Sequence, residues 1–233
     1  QFQAYGVDSY QPATSSTTTS IQAHNLSYRV LDHLNIKVPY AQLDLMDRTP
    51  EDAMYLEGLD FNLHLKAGQV RVNDVGVTLT VESLLKKQDL PLEDVRVTFD
   101  PHNRVNLEAK VKALGFLSLP VTVSGTVGAT PKGELTYEMG KVSVMGLPMN
   151  GLMKTFGLSI EKTLKLNDPA KGYYAIGKTV HINPNNVLAQ PGINVNLSDV
   201  STHLGDLILT FGDTAADVQH TKDMLARKDL NAL

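Results

Sequence analysis

The sequence predicts an α+β protein in which a highly curved antiparallel sheet wraps around one long amphipathic helix. Three observations predict it. Apolar residues alternate with polar ones over several long runs, as in strands with one wet face. The runs follow one another with short polar turns between them, which favours an antiparallel meander. Over residues 134–166 the apolar period then changes from two to about 3.6. Leu135, Tyr137 and Met139 share one strand face, and Val142 and Val144 begin a second run after Gly140. Gly146 and Pro148 end the strand pattern. From there Met149, Leu152, Met153, Phe156, Ile160 and Leu164 fall along one side of a helix, which needs a large apolar surface to lie on.

The chain of 233 residues is long enough for one substantial domain. We divide it into a flexible N-terminal segment (1–20), one α+β domain (21–212) and a C-terminal helical tail (213–233). The run ATSSTTTS, Ala13 onwards, has no apolar period and reads as linker or tail; an edge strand is the alternative. Residues 21–34 mix helical and strand signals, and residues 36–45 alternate loosely. Thr49, Pro50, Glu51 and Asp52 resemble the start of a short helix. Leu59, Phe61, Leu63 and Leu65 alternate with Asp60, Asn62, His64 and Lys66, the clearest strand in the chain. Val70, Val72, Val75, Val77 and Leu79 continue the sheet pattern, and Thr80 caps a short helix carrying Leu84 and Leu85.

A meander follows. Val95, Val97 and Phe99 lead to the polar turn DPHN, and Val105, Leu107, Ala109, Val111 and Ala113 return. Leu117, Leu119, Val121 and Val123 continue across Pro120, which marks an edge or bulge. After the helix, strands run through Tyr173 and Ala175 and through Val180 and Ile182, and NPNNVL forms a single helical turn. Ile193, Val195 and Leu197 form another strand. It is followed by a hairpin at HLGD into Leu207, Leu209 and Phe211, and a loosely docked C-terminal helix closes the chain.

Several chemistries are excluded or unsupported. With no cysteine, the chain has no thiol nucleophile and no cysteine-ligated metal. None of the seven histidines lies in a local metal motif. Asp60, Asn62 and His64 could share a metal face with a distant histidine, but a plain solvent face is the simpler reading. No serine sits in a GxSxG elbow, and Gly151 and Gly157 belong to no phosphate loop. A net charge of −4 disfavours nucleic acid, and no basic run offers a strong anchor on anionic lipid, which leaves only weak or transient membrane contact. No stretch is long enough for a membrane-spanning helix. The absence of an initial methionine at Gln1 fits a mature form whose export signal has been removed.

What remains is apolar surface without catalytic decoration. Methionine and phenylalanine adapt to variable alkyl chains. The expected apolar cavity is lined by Leu84, Leu85, Phe116, Leu119, Met149, Leu152, Met153, Phe156 and Ile160, between the long helix and the concave sheet. For each residue alone, ordinary core is the competing reading. Lys86, Lys87, Arg96, Lys110 and Lys112 could meet an acidic head group at the rim, or simply be solvated.

Residues 77–211 resemble bacterial lipid-binding proteins of the LmeA type, within the wider tubular lipid-binding (BPI-like, SMP-like) superfamily. The matching pieces are LTVESLLKK, DVRVTFDPHNRVNLEAKV, GELTYEMGKVSVMGLPMNGLMKTF, and VHINPNNVLAQPG with LILTFG. The resemblance implies a helix wrapped by a curved sheet, lipid held in the interior, and an exported protein working in the periplasm or elsewhere in the cell envelope. It implies no catalytic residues and no cofactor. The residues before Val77 are not covered by it, and the lipid-anchoring cysteine of a lipoprotein is missing. The expected function is therefore non-catalytic binding or transport of a lipid or fatty-acid-like ligand. A protein-interaction module of an envelope complex, presenting an edge near residues 121–127, is the first alternative. A lipid or glycan hydrolase with a convergent polar cluster is the second.

Overall fold

The structure, a computed structural model, describes residues 7–11, 18–31, 33–48, 61–87, 92–113, 117–144, 147–148, 168–187 and 192–227. They form two seven-stranded sheets. The first contains β1 (Val7–Gln11), β2 (Thr18–Leu31), β3 (Leu34–Asp47), β4 (Phe61–Asn73), β12 (Ile193–Val195), β13 (Leu197–His203) and β14 (Asp206–Gly212). Its order is β1-β2-β3-β4-β14-β13, with β12 pairing parallel to β4 through Ile193 opposite Leu63. The second is the antiparallel meander of β5 (Leu92–Asp100), β6 (Arg104–Ala113), β7 (Leu117–Ala129) and β8 (Leu135–Val144). It is extended by the short β9 (Leu147–Pro148) and by the hairpin of β10 (Tyr173–Ile176) and β11 (Thr179–Ile182).

The two sheets share one core. The first contributes Ala41, Leu65, Val72, Val195, Leu197, Val200, Leu207 and Phe211, and the second Val97, Phe99, Val105 and Val127. Each apolar face covers the other, as in sheet-on-sheet packing. The expectation of a sheet wrapped around a long helix is therefore corrected: the described core is closed by a second sheet. The described helices are α1 (Asp74–Lys87), the single turn α2 (Pro184–Val187) and α3 (Ala215–Ala226), all at the periphery. Residues 18–47, whose signals were mixed, form two 14-residue strands of the first sheet, and Ala41 of β3 joins the shared core with Leu34, Ile36, Val38 and Leu43 packed against it.

The sheets are stitched at one corner. The β5–β6 turn places His102 and Asn103 in the left-handed region, with φ of 66° and 59°. From there the Asn103 amide donates to Val200 O (3.0 Å) and its Oδ1 accepts from Thr202 N (3.2 Å) on β13. The Thr202 hydroxyl donates to Asp100 O, and Gly205 N donates to Phe99 O at 2.9 Å.

Four further sequence readings change. Val75, Val77 and Leu79 belong to α1, which begins at Asp74; Thr80 is not its cap. Asn73 Oδ1 accepts from Gly76 N at 2.7 Å, and the Thr80 hydroxyl instead donates back to Gly76 O. Residues 121–127 are interior, because β7 pairs with β6 on one side and β8 on the other. Pro120 lies one residue beyond the last β7–β8 pair, Val121 with Val144. β1 and the start of β2 fall within the expected N-terminal segment; of the run from Ala13 only Thr18, Thr19 and Ser20 are described, and they open β2, which lies between β1 and β3. The C-terminal helix is firmly docked: Thr221 is fully buried, and Thr214 and Asp217 form a capping box. The helix expected near Thr49 and the long helix of residues 149–166 lie outside the described residues.

Candidate functional site

The meander was legible in the sequence, and it also carries the candidate site. Cross-strand partners lie on the same face of a sheet, so the register defines one continuous apolar strip. Phe99 faces Val105 and Val97 faces Leu107, both pairs at the core. Beyond them Leu107 pairs with Val123, Ala109 with Val121 and Val111 with Leu119. On the next strand Val123 pairs with Val142, and Val121 with Val144. Leu107, Val111, Leu119, Val121, Val123, Val142 and Val144 are all half-buried, in contrast to the buried Val105 and Ala109. The change of phase at Gly140, visible in the sequence, is a bulge: the register shifts between Ser124 and Gly125 opposite Lys141 and Met139. It keeps Val142 and Val144 on the face of Tyr137 and Met139. From Leu119 to Gly125 the strip runs roughly 20 Å at ~3.3 Å per residue.

Tyr137 stands at the inner end of this strip. Its ring lies over Gly125, where a Cβ would come within 2.6 Å of Tyr137 Cε2 and 2.4 Å of Glu138 O. Its hydroxyl is sealed from solvent and has no hydrogen-bond partner among the described residues. Burial pushes the phenol up to about 12. A buried O–H without an acceptor is costly in a packed interior and common where a ligand completes the bond.

The expected site residues are only partly brought together. Leu119 belongs to the strip. Leu84 and Leu85 are on α1, with Leu85 half-buried. That helix packs against β5, and Leu119 is on β7, with β6 between the two strands. Phe116, Met149, Leu152, Met153, Phe156 and Ile160 lie outside the described residues. The sequence reading missed Tyr137 and the valines of β7 and β8 as site residues. The available signal was an alternation that resumes in phase after a glycine and carries one phenol among aliphatic side chains.

The polar clusters offer less. Glu134 accepts the Tyr174 hydroxyl at 3.0 and 3.1 Å and lies 3.4 Å from His181 Nδ1, while the Tyr174 and His181 rings stack at 4.7 Å. Burial, then the bond to Glu134, raises the Tyr174 pKa. The group ties β10 and β11 to the start of β8. His64, expected on a solvent face, pairs with Asp213 at 3.0 Å at the surface. Tyr40 and His220 share a 2.9 Å hydrogen bond that ties α3 to β3, and burial raises the Tyr40 pKa. Among the described residues, no three His, Asp or Glu side chains gather to hold a metal ion. No described helix is long and apolar enough to cross a membrane, which says nothing of a β-barrel.

No family model, curated protein or solved structure matches this chain.

Proposed function

We propose that the protein binds a lipid or another long apolar molecule without chemistry, the alkyl chain lying along the strip from Leu119 to Tyr137. The observation that carries this reading is the strip itself: paired aliphatic side chains, half-buried and continuous with the core, ending at a phenol that lacks an acceptor among the described residues. Each methylene withdrawn from water contributes ~0.8 kcal/mol, so a chain spanning the strip needs few polar contacts. The Tyr137 hydroxyl donates to a neutral ester or hydroxyl oxygen of the ligand. A charged head group there would carry a large desolvation penalty, so it stays at the solvent end. Carriage through the cell envelope is part of the same proposal and rests on the resemblance of residues 77–211 to the tubular lipid-binding family. The interaction-module alternative loses the edge it relied on, because β7 is interior.

The test is titration with a fluorescent fatty acid and with its methyl ester. Wild type takes up both. Val121→Asp abolishes uptake, and Tyr137→Phe weakens the ester by about tenfold, as one buried hydrogen bond implies. Absence of uptake by the wild type, together with native mass spectra free of co-purified lipid, overturns the proposal.

A further inference from the structure

The outer face of the second sheet carries a different chemistry at the seam between β8 and β11. Thr136 pairs with His181, and His181 with Tyr174. The next row, Tyr137 with Val180 and Val180 with Ala175, turns to the opposite face, where Tyr137 packs against the core. Glu134 stands two residues before Thr136 and shares its side of the sheet. The turn that leads to it is closed by Thr130 N donating to Glu134 O at 2.9 Å and by Glu134 N donating to Thr130 Oγ1 at 3.2 Å. Glu134 and His181, distant in sequence, therefore meet at the junction of two paired strands.

Their contact is not an ordinary hydrogen bond. His181 Nδ1 lies 3.4 Å from Glu134 Oε2, is closed off from solvent and makes no hydrogen bond among the described residues. A charge-assisted N–H···O bond closes to about 2.7–2.9 Å. Two donors on one tetrahedral zinc ion, each at ~2.0–2.2 Å from the metal, stand roughly 3.3–3.5 Å apart. The observed separation matches the second case. Both donors are also held in place. The Tyr174 ring stacks flat on His181, with centroids 4.7 Å apart and planes 2° from parallel, and its hydroxyl donates to both Glu134 oxygens at 3.1 and 3.0 Å. A hydrogen bond to the carboxylate is the usual outer support of a metal ligand. The two side chains keep 17% and 12% of their surface exposed, so the pair is reached from the outer face.

We propose that His181 Nδ1 and Glu134 Oε2 bind a divalent transition-metal ion of the zinc class, with the Tyr174 hydroxyl orienting the carboxylate. A neutral imidazole nitrogen beside a carboxylate selects such an ion over magnesium or calcium, which take oxygen donors. The described residues bring no third His, Asp or Glu to the pair, so water fills the remaining positions and the ion is exchangeable. Bound there, it links β11 directly to β8 and staples the β10–β11 hairpin to the meander. The inference is independent of the apolar strip, which lies on the opposite face of the same sheet.

The experiment is titration of chelator-treated protein with zinc chloride, followed by thermal melting and by long-range nitrogen–proton NMR of the histidine rings, with magnesium chloride as control. Zinc is expected to raise the melting temperature and to shift the His181 Nδ1 resonance, whereas magnesium does neither. Tyr174→Phe keeps the ring but loses the hydroxyl, and weakens zinc binding by about tenfold. Glu134→Gln keeps an acceptor for Tyr174, yet it and His181→Gln lose more than that. The NMR measurement needs only the wild type, so it decides the matter even where a variant fails to fold. A His181 ring that zinc leaves unperturbed overturns the proposal and makes the contact a plain ion pair. So does zinc stabilisation undiminished in His181→Gln, which would give the ion to another histidine, or an equal response to magnesium.

Discussion

Tyr137 is the residue where structure and function pull apart. Its ring packs over Gly125, and its hydroxyl has no acceptor among the described residues. Replacing it by phenylalanine removes an unsatisfied group, so Tyr137→Phe should leave the ligand-free protein as stable as wild type or up to ~1 kcal/mol more stable. The pH dependence has a defined sign. Burial raises the folded phenol from the ordinary value of 10.0 to about 12. The neutral phenol is therefore tolerated below pH 10, and stability falls as pH rises from 10 towards 12, where only the unfolded chain has lost the proton. Partial exposure of the ring limits the loss to ~2 kcal/mol or less. Denaturant melts at pH 9 and 11 should show a smaller loss in Tyr137→Phe than in wild type. Tyr40 and Tyr174, shifted in the same direction, contribute to the residual slope. Gly125 is fixed by the same contact: Gly125→Ala forces a Cβ against backbone and ring, and should cost about 1–3 kcal/mol in denaturant midpoint.

Among elements, α1 shows what period alone misses. Val75, Val77 and Leu79 alternate like a strand, yet Val77 and Val81 are one helical turn apart, and both pack on the core. The deciding signal is local and polar: Asn73 accepts from Gly76 N, and Asp74 favours a helix start. The helix also solves an edge problem. Thr78 Oγ1 accepts from Val97 N at 2.9 Å and donates to Val97 O at 3.2 Å, which covers the outer edge of β5. Thr78→Val should cost about 1–2 kcal/mol and speed hydrogen exchange at the Val97 amide, because a buried strand edge loses its partner. The meander itself was legible, since Val95, Val97, Phe99 and Val105 are buried in the phase their alternation dictates. So were the single turn at Pro184 and the hairpin at Gly205, where asparagine-proline and glycine signals are strong.

At the scale of the whole molecule, pairing is what alternation cannot express. β4 lies between β3 and β14, and β14 is distant in sequence, while β12 joins β4 in parallel. A strand's face pattern says which side is apolar, not whether a helix or a second sheet will cover it. The striped segment after Gly146 invited the helix; the long hairpin of β2 and β3 supplied the sheet. Asn103 supplies two of the hydrogen bonds between the two sheets, and it should report their coupling. Asn103→Asp keeps an acceptor for Thr202 N and tolerance of positive φ, and should cost about 1 kcal/mol. Asn103→Ala loses both bonds and the favoured conformation, and should cost about 2–3 kcal/mol in a single cooperative transition. The central claim is that an alkyl chain lies on the inner strip of the second sheet. The most direct measurement is methyl NMR of valine-labelled protein with a bound fatty-acid ester. The account predicts contacts from chain protons to the methyls of Val121, Val123, Val142 and Val144. Contacts confined to other valines, or none at saturating ligand, would contradict it.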